Sequence, residues 1–313
     1  MIGQRSEAMC LYDVITIGSS LVDFFIQSDE FSVTKNESGV LLCQRYGDKI
    51  EVDQFSVLTG GGGGNTATGF ARAGFHTAVV TETGKDTFAQ LVLQAFHDDR
   101  VATNLVIQEK KEQTGGSIIL IGSDGGRTIM VHRGAASLLD PADIPVEAVE
   151  KTGWVHLSSI AGRLPTLTRI FSARKKQKLS WNPGKQELLL LAESRISLQN
   201  LPVEVLLVNE QEWAMVDIVQ PALQAHVPVI VITNGSRGGR ILSKGNEFEF
   251  ASQSVTSVDD TGAGDAFAVG FVTNYIKQES LERCAEMGAK NAASVVQHLG
   301  GKPGLLRRQD LLH

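Results

Sequence analysis

Two glycine-rich segments, far apart in the chain, carry the residue types best suited to chemistry. The first is Thr59–Asn65 (TGGGGGN) and the second is Val258–Phe267 (VDDTGAGDAF). Each leads into a predicted helix. The first turn of a helix exposes backbone N–H groups without partners, and with the helix dipole they form a site for phosphate or for charge that develops in a transition state. In the second segment, Gly262, Ala263 and Gly264 would form such an anion site.

Asp265 follows this anion site directly, which is unusual because a carboxylate repels a bound phosphate. A carboxylate at that position is useful if it takes a proton from an attacking hydroxyl. An anion site with an adjacent base is suited to phosphoryl transfer to an alcohol. A purely structural role is the alternative at this point, because glycine often supplies a positive φ angle and aspartate is common in first helical turns.

Several well-known catalytic motifs are absent. No frame of Gly60–Gly64 gives GxGxxG, and no lysine that follows a glycine belongs to a P-loop. GxSxG, HExxH and CxxC are also missing. These absences argue against Rossmann oxidoreductases, common serine hydrolases and zinc proteases. The three cysteines, Cys10, Cys43 and Cys284, have neither a disulfide pattern nor metal-ligand spacing.

Composition places the chain among ordinary globular proteins. It has 313 residues, of which 42% are hydrophobic and 20% charged. The net charge of −6 argues against a nucleic-acid partner. No apolar run approaches the ~18 residues that a membrane span requires, so we expect no membrane partner. Because Met1–Leu11 has no apolar core flanked by basic residues, we expect no signal peptide and a cytoplasmic location.

Apolar β-branched runs alternate with helical patterns around the two glycine segments. Strands are predicted at Val14–Gly18, Thr77–Val80, Val155–Leu157, Val205–Val208 and Val227–Thr233. Helices are predicted at Thr66–Ala73, Phe88–His97, Asp265–Lys277 and Leu281–His298. This alternation predicts a three-layer α/β/α architecture, with a mainly parallel sheet between helices.

Two stretches interrupt the alternation. Phe24–Leu58 and Gly116–Arg133 show short alternating strands, with turns at Gly47–Asp48 and Asp124–Gly126. They predict a small antiparallel sheet inserted into the α/β body. We therefore expect residues 12–23, 59–113 and 134–313 to form the large domain. Residues 24–58 and 114–133 are expected to form the small one.

The pairing of GGxGxN early with DxTGAGDxF late resembles the ribokinase (PfkB) family of carbohydrate kinases, which also includes nucleoside kinases. The resemblance extends from Ile15 to Gly301. Intermediate positions fit the family as well: Gly84–Asp86, Thr114, the pair Asn209 and Glu212, and Thr233–Gly238. It implies a ribokinase-like fold in which the small sheet is a lid over the substrate site. It also implies that the lid can mediate a homodimer.

The resemblance assigns roles to individual residues. Asp265 becomes the general base, and Gly262, Ala263 and Gly264 stabilise the transferring phosphoryl group. The residues implied to bind the sugar are Asp23, Gly61, Gly62 and Asn65. The residues implied to bind ATP are Asn182, Asn209, Thr233, Gly235, Ser236, Gly238 and Asn291. Glu212, with Asn209, is implied to order Mg²⁺ through water.

The chain also departs from the family pattern. Many members have lysine where this chain has Gly62, so one potential sugar contact is missing. Asp260 replaces a frequent threonine beside Asp259 and Thr261, where some relatives bind a monovalent cation; a K⁺ site is therefore an open expectation. Arg133 and Arg163 are candidates for contact with an anionic or hydroxyl-rich substrate.

The sequence thus predicts an ATP- and Mg²⁺-dependent kinase that phosphorylates a primary hydroxyl of a sugar or a sugar-like molecule. One alternative is a nucleoside kinase of the same fold, which needs an apolar wall from the lid. The other is a non-catalytic, sugar-binding regulatory protein; Asp265 beside the Gly-Ala-Gly turn argues against it, because binding needs no base. Asp23 and Asn65 suit a polyol edge, so we expect neutral sugars first, nucleosides second and acid sugars third.

Overall fold

The computed structural model describes residues 10–37, 39–108, 111–199 and 201–312. The expectation of no signal peptide falls mostly on residues 1–9, which lie outside the described residues. The strands of the described chain are β1 Tyr12–Ile17, β2 Leu21–Gln27, β3 Ser32–Asn36, β4 Gly39–Cys43, β5 Gln54–Gly60, β6 Thr77–Val80, β7 Glu82–Thr83, β8 Ile107–Gln108, β9 Gly116–Ile121, β10 Arg127–His132, β11 Thr152–Leu157, β12 Lys178–Trp181, β13 Val205–Asn209, β14 Val229–Thr233, β15 Gly239–Ser243 and β16 Asn246–Phe250.

The helices of the described chain vary from five to 15 residues in length. They are α1 Gly62–Arg72, α2 Thr87–Asp98, α3 Val146–Glu150, α4 Leu164–Ala173, α5 Lys185–Ala192, α6 Glu210–Ala214, α7 Gln220–His226, α8 Ala263–Ile276, α9 Leu281–Val295 and α10 Arg308–Leu312. Among the described helices, none is both long enough and apolar enough to cross a membrane. Cys10 and Cys43 are exposed, Cys284 is buried, and all three are free thiols.

The central sheet has eight strands in the order β16-β15-β14-β13-β12-β11-β1-β6. Its strands are parallel from β14 to β6, and β15 and β16 add an antiparallel edge. Successive strand residues point to opposite faces. Val205 and Leu207 therefore join the core beneath α1, α8 and α9, whereas Leu206 and Val208 join the core beneath α4, α5 and α7. The predicted α/β/α arrangement is confirmed.

A second sheet, called here the four-stranded sheet, has the order β10-β9-β2-β5. The β2–β5 and β9–β10 pairs are antiparallel, as predicted, and the β2–β9 pair is parallel. A parallel pair requires a long crossover, which the chain between β2 and β9 provides. The β2–β5 ladder runs without a break from Gln27 opposite Gln54 to Leu21 opposite Gly60. The ladder therefore includes Leu21 to Asp23 and Thr59 to Gly60, which were expected to belong to the large domain.

The two predicted turns differ in what they connect. The turn at Gly125 (φ +76°) joins β9 to β10, and the Gly122 N–H donates to the Gly126 carbonyl at 2.9 Å. Gly47 (φ +88°) also lies in a turn, but residues 44–53 form no strand. The hairpin in this region is instead β3–β4.

Candidate active site

Three of the predicted site residues, Asn182, Asn209 and Thr233, lie at one edge of the central sheet. Asn209 and Thr233 end β13 and β14, whereas Gly18, Ser158 and Asn182 directly follow β1, β11 and β12. Carboxyl ends of neighbouring parallel strands share an edge, and ligands of α/β proteins bind there. The order of the strands therefore brings Asn182, Asn209 and Thr233 to the same edge of the sheet as Gly18 and Ser158.

The two glycine segments meet at this edge as two helix N-termini. Gly61 (φ +88°) precedes α1, and Gly262 (φ +77°) precedes α8. Asn65 Nδ2 donates a hydrogen bond of 2.8 Å to Asp265 Oδ2, which joins positions 200 residues apart. Helix α1 begins four residues earlier than predicted, at Gly62. Glycine disfavours helix in isolation, so its sequence signal concealed this first turn.

The N-terminus of α8 presents free amide groups. The Ala263 N–H already donates to the Asp260 carbonyl at 3.2 Å, whereas the N–H groups of Gly264 and Asp265 have no hydrogen-bond partner in the described chain. A Cβ atom added at Gly264 would meet no atom within 4 Å, so this position faces open space. The free donors are thus displaced from Ala263, which the sequence had included, to Gly264 and Asp265.

Gly262 has a separate requirement for glycine. A Cβ atom there would lie 2.4 Å from the Gly301 Cα atom, and the left-handed φ angle disfavours every other residue. Its role is to turn the chain into α8.

The carboxyl group of Asp265 has a pKa above the ordinary aspartate value. Burial raises the pKa of its carboxyl group, and the hydrogen bond from Asn65 partly offsets that rise. A Cβ atom added at Gly62 would lie 3.4 Å from Asp265 Oδ1 and 3.1 Å from Ser158 Oγ. Oδ1 thus borders the space beside Gly62, where an acceptor hydroxyl can reach it.

Ser158 is a site residue that the sequence analysis missed. The residue is 3% exposed, and its Oγ atom has no hydrogen-bond partner in the described chain. Asn65 Oδ1 is also buried without a partner. A buried polar atom without a partner costs about 1–3 kcal/mol, so both atoms suit a bound hydroxyl-rich ligand. The only sequence signal for Ser158 is its place just after a predicted strand.

Asp23 lies on β2, within the four-stranded sheet. The residue is 6% exposed, and Oδ1 accepts a hydrogen bond from the Ser117 hydroxyl of β9. Burial raises the pKa of Asp23, and the Ser117 hydrogen bond and the positive charge of Lys302 act against that rise. A Cβ atom added at Gly60 would lie 2.0 Å from Asp23 Oδ2, so the carboxylate needs glycine beside it. Ser117 is a second contact that the sequence did not reveal.

A cavity of ≈ 420 Å³ opens on the other side of the α8 N-terminus. Four predicted nucleotide residues line it: Thr233, Gly235, Ser236 and Gly238. Ala263 and Gly264 border its floor. Its apolar wall is formed by Phe250, Val255, Phe267, Ala289, Ala292, Ala293 and Val296. An apolar cavity that ends at a helix N-terminus suits a flat heterocycle that carries phosphate groups.

Two asparagines predicted at the nucleotide site have structural partners. Asn291 is fully buried; Nδ2 donates to the Ala266 carbonyl at 2.7 Å, and Oδ1 accepts from the Leu306 N–H at 2.9 Å. It fastens α9 to α8 and does not line the cavity, so we do not retain it as a nucleotide contact. Asn182 Nδ2 donates to the Leu207 carbonyl at 2.9 Å, between β12 and β13.

Asn209 and Glu212 form a capping box at the start of α6. The Glu212 N–H donates to Asn209 Oδ1 at 2.8 Å, and the Asn209 N–H donates to Glu212 Oε2 at 2.9 Å. Burial raises the pKa of Glu212. In the described chain, no group of three acidic, histidine or cysteine side chains could hold a metal. The pair therefore fits Mg²⁺ only through water, with Glu212 Oε1 as the oxygen that the cap does not use.

Asp259 and Thr261 do not fit a bare monovalent cation. Asp259 Oδ1 accepts from the Thr261 N–H and hydroxyl at 3.0 and 2.7 Å, and Oδ2 accepts from the Gly300 N–H at 2.8 Å. The guanidinium of Arg127 also contacts Oδ1. Four donors thus share the two Asp259 oxygens, and the positive charge of Arg127 opposes a second cation beside them.

In the described chain, neither candidate substrate arginine forms a hydrogen bond or an ion pair with Asp265, Asn65 or Asp23. Arg133 is exposed just beyond β10. Arg163 donates to the Ser137 carbonyl at 3.3 Å and lies 3.8 Å from Asp140 Oδ2. Its guanidinium group therefore already has local partners.

Comparison with known proteins agrees with this geometry. The model of the pfkB family of carbohydrate kinases matches residues 13–307. The chain is 27% identical to a fructokinase of Escherichia coli, over 80% of this chain and 90% of that one. It is 21% identical to a nucleoside kinase of Methanothermobacter thermautotrophicus, over 92% and 90%. Its fold matches that of a putative ribokinase II of E. coli in complex with ATP and Mg²⁺, with a TM-score of 0.79, 18% identity, and coverage of 96% of this chain and 98% of that one.

Proposed function

This chain belongs to the pfkB family of carbohydrate kinases, and on that basis we propose that it transfers a phosphoryl group from ATP to a primary hydroxyl of a neutral sugar. Phosphorylation of a sugar or nucleoside by ATP is the activity that membership establishes. One observation carries the finer proposal. Asp265, with a raised pKa and a hydrogen bond to Asn65, lies where two helix N-termini meet.

The proposed reaction uses this arrangement directly. The acceptor hydroxyl lies in the space beside Gly62 and Ser158, and Asp265 Oδ1 takes its proton. The hydroxyl oxygen then forms a bond to the γ-phosphorus as the bond to ADP breaks. The free N–H groups of Gly264 and Asp265 stabilise the negative charge of the transferring group. When bound, Mg²⁺ neutralises charge on the ATP phosphates.

The polar groups around the acceptor position support a neutral, hydroxyl-rich substrate. Asp23 and Asp265 supply carboxyl groups, and Ser158 Oγ and Asn65 Oδ1 are buried oxygens that have no partner among the described residues. Carboxylates accept hydrogen bonds from hydroxyls but repel another carboxylate. Arg163 is engaged elsewhere, which supports the last rank for acid sugars.

Nucleosides remain the second candidate because the four-stranded sheet offers an apolar wall. Register places Asp23 beside Ser117 and Ser117 beside Val131, so the three side chains share one face. Val131 is 53% exposed, and Ile129, two residues earlier on that face, is 47% exposed. The wall lies about 10 Å from Asp23, two strand spacings away, which suits contact with a base attached to ribose.

A coupled assay of ADP release tests the substrate class. Purified protein with ATP and Mg²⁺ is supplied with neutral hexoses and pentoses, nucleosides and acid sugars, and Asp265→Asn protein serves as the control for background ATPase activity. We expect neutral sugars to accelerate ADP release most. Turnover of nucleosides alone would overturn this ranking and leave the kinase reaction in place. If no alcohol accelerated ADP release, the proposed reaction would be rejected.

Glu212→Gln is expected to raise the Mg²⁺ concentration for half-maximal rate by about tenfold, with little change in sugar affinity. The glutamine oxygen can still accept from the Asn209 N–H, so the cap of α6 is kept while the charge is lost. A Mg²⁺ titration of the initial rate measures the effect. Glu210→Gln, which removes the same charge two residues away, controls for general electrostatics. An unaltered titration of Glu212→Gln would restrict the motif to its capping role.

We also propose that residues 24–58 and 114–133 form a lid that excludes water from the acceptor hydroxyl. The position of Leu58 supports this lid. Its Cδ1 atom would lie 2.8 Å from a Cβ atom added at Gly300, so the four-stranded sheet packs against the large domain.

The opposite face of the four-stranded sheet carries exposed apolar side chains at Phe55, Val57, Ile118 and Met130, which support a homodimer through the lid. A monomeric mass by light scattering at micromolar concentration would reject the dimer. The cytoplasmic location stays a prediction.

A further inference from the structure

Arg127 connects the four-stranded sheet to the loop that leads into α8. It is the first residue of β10, and its Nη1 atom contacts Asp259 Oδ1 in an ion pair. The Asp259 side chain is 3% exposed, and that of Arg127 is 32% exposed. A buried carboxylate requires a compensating charge, and Arg127 supplies it.

Asp259 organises the loop of residues 259–262, which we call the 259–262 loop. Its Oδ1 atom holds the Thr261 N–H and hydroxyl, and its Oδ2 atom holds the Gly300 N–H. The loop continues through Gly262 in the left-handed conformation into the first turn of α8. The position of the Gly264 and Asp265 amides therefore depends on the Asp259 carboxylate. The charge of this carboxylate is balanced by Arg127, which belongs to the four-stranded sheet.

The register of the four-stranded sheet explains how Arg127 reaches this loop. Arg127 lies opposite Ile121, and Ile121 lies beside Gln27, so Arg127 shares the face that carries Asp23. This face meets the large body, because Leu58 and Phe25 lie close to Gly300. The Arg127–Asp259 ion pair thus links β10 to the loop that precedes α8.

We propose that the Arg127 guanidinium replaces a monovalent cation at the 259–262 loop, so that phosphoryl transfer by this chain requires no K⁺. The inference rests on the proposed function, since it concerns the loop that presents the anion site. Arg127 is a positioning residue: it touches Asp259 and not the reacting atoms. Its charge arrives with the four-stranded sheet, so the anion site is complete only when that sheet is in place.

Salt replacement at constant ionic strength tests the proposal. The rate of ADP formation is measured in KCl and in N-methylglucamine chloride for the wild type and for Arg127→Met, which keeps an apolar stem and removes the charge. The wild type is expected to differ by less than about twofold between the salts. Arg127→Met is expected to lose about 10²-fold in N-methylglucamine chloride, because Asp259 is left buried without a countercharge, and to regain at least about tenfold with KCl.

The thermal midpoint of unfolding gives a readout that requires no substrate. KCl is expected to raise the Tm of Arg127→Met and to leave that of the wild type unchanged. Arg45→Met is the matched control: Arg45 is an exposed arginine of the same inserted region, and among the described residues its ion pair is with the exposed Asp48, so wild-type behaviour is expected in both salts. Thermal unfolding does not depend on turnover. The Tm comparison therefore tests the role of Arg127 even if the substrate assay rejects the proposed reaction.

Three results would overturn the proposal. Activation of the wild type by K⁺ overturns the proposal. Wild-type activity of Arg127→Met without K⁺ also overturns it, as does a loss of activity that K⁺ does not restore. If Arg127→Met does not fold, Arg127→Lys, which keeps a cation at the same place, is used. Retention of activity by Arg127→Lys without K⁺ supports the proposal, and a requirement for K⁺ rejects it.

Discussion

Asp265→Asn is expected to lower kcat about 10²–10⁴-fold while sugar and ATP still bind. Asparagine keeps the size of the side chain, and its carbonyl oxygen can still accept from Asn65 Nδ2. What it loses is the capacity to take a proton from the acceptor hydroxyl. Steady-state kinetics measure the loss, and calorimetric binding of sugar and of ATP shows whether the site is otherwise intact. Turnover near the wild-type value would exclude Asp265 as the base.

The pH dependence of the rate, compared between the wild type and Asp265→Asn, gives a second test of Asp265 as the base. Burial raises the pKa of Asp265 above the ordinary aspartate value, so the ionised, active form is lost as the pH falls through a higher range than usual. We expect the wild-type rate to fall on the acid side, at a pH above that of an exposed aspartate. The residual rate of Asp265→Asn is expected to lack this acidic limb. The same limb in the variant would show that another group causes it.

Asp23→Ala is expected to weaken binding of any accepted sugar by about 10²-fold, equivalent to a few kcal/mol. The substitution removes a charged acceptor and leaves the sugar hydroxyls and the Ser117 hydroxyl without a partner. Because Asp23 does not take part in proton transfer, we expect the effect mainly in KM and in the sugar dissociation constant. ATP binding is expected to be unchanged. Isothermal titration with the sugar found by the substrate assay measures the effect.

Asp29→Ala is the matched control for that experiment. Asp29 follows β2 on the same segment and is exposed, so its loss removes the same charge without a contact at the site. Burial already disfavours the ionised form of Asp23, so removal of its charge is not expected to destabilise the fold through electrostatics. A sugar affinity of Asp23→Ala that matches that of Asp29→Ala would remove Asp23 from the substrate site.

The sequence predicted the local features of this protein well. Strands such as Thr77–Val80 and helices such as Thr87–Asp98 are specified by short-range patterns of apolar residues and by caps, and the predictions lie within about one residue of these bounds. The glycine segments were recognisable because a backbone that turns into a helix with positive φ angles needs glycine at Gly61 and Gly262. A run of glycines nevertheless concealed the first turn of α1, because glycine has low intrinsic helix propensity.

The sequence did not show which face of a helix packs against its neighbours and which face borders a cavity. Asn291 stands among alanines at positions 289, 292 and 293, and nothing in this pattern shows which face of α9 meets the cavity. The packing of α9 against α8 decided it, since Asn291 donates to the Ala266 carbonyl. The NxxE motif was ambiguous for a similar reason, because the same spacing forms a capping box at Asn209 and Glu212.

By itself the sequence determined the family, the alternation of strands and helices, and the carboxylate of Asp265 in the first turn of a helix, because these depend on residues close together in the chain. Only the tertiary structure decided which distant groups meet: Asn65 with Asp265, Ser117 with Asp23, and Arg127 with Asp259. Such contacts join positions about 90 to 200 residues apart. The physical reason is that strand order and register, and not local propensity, determine which side chains share a face or an edge of a sheet.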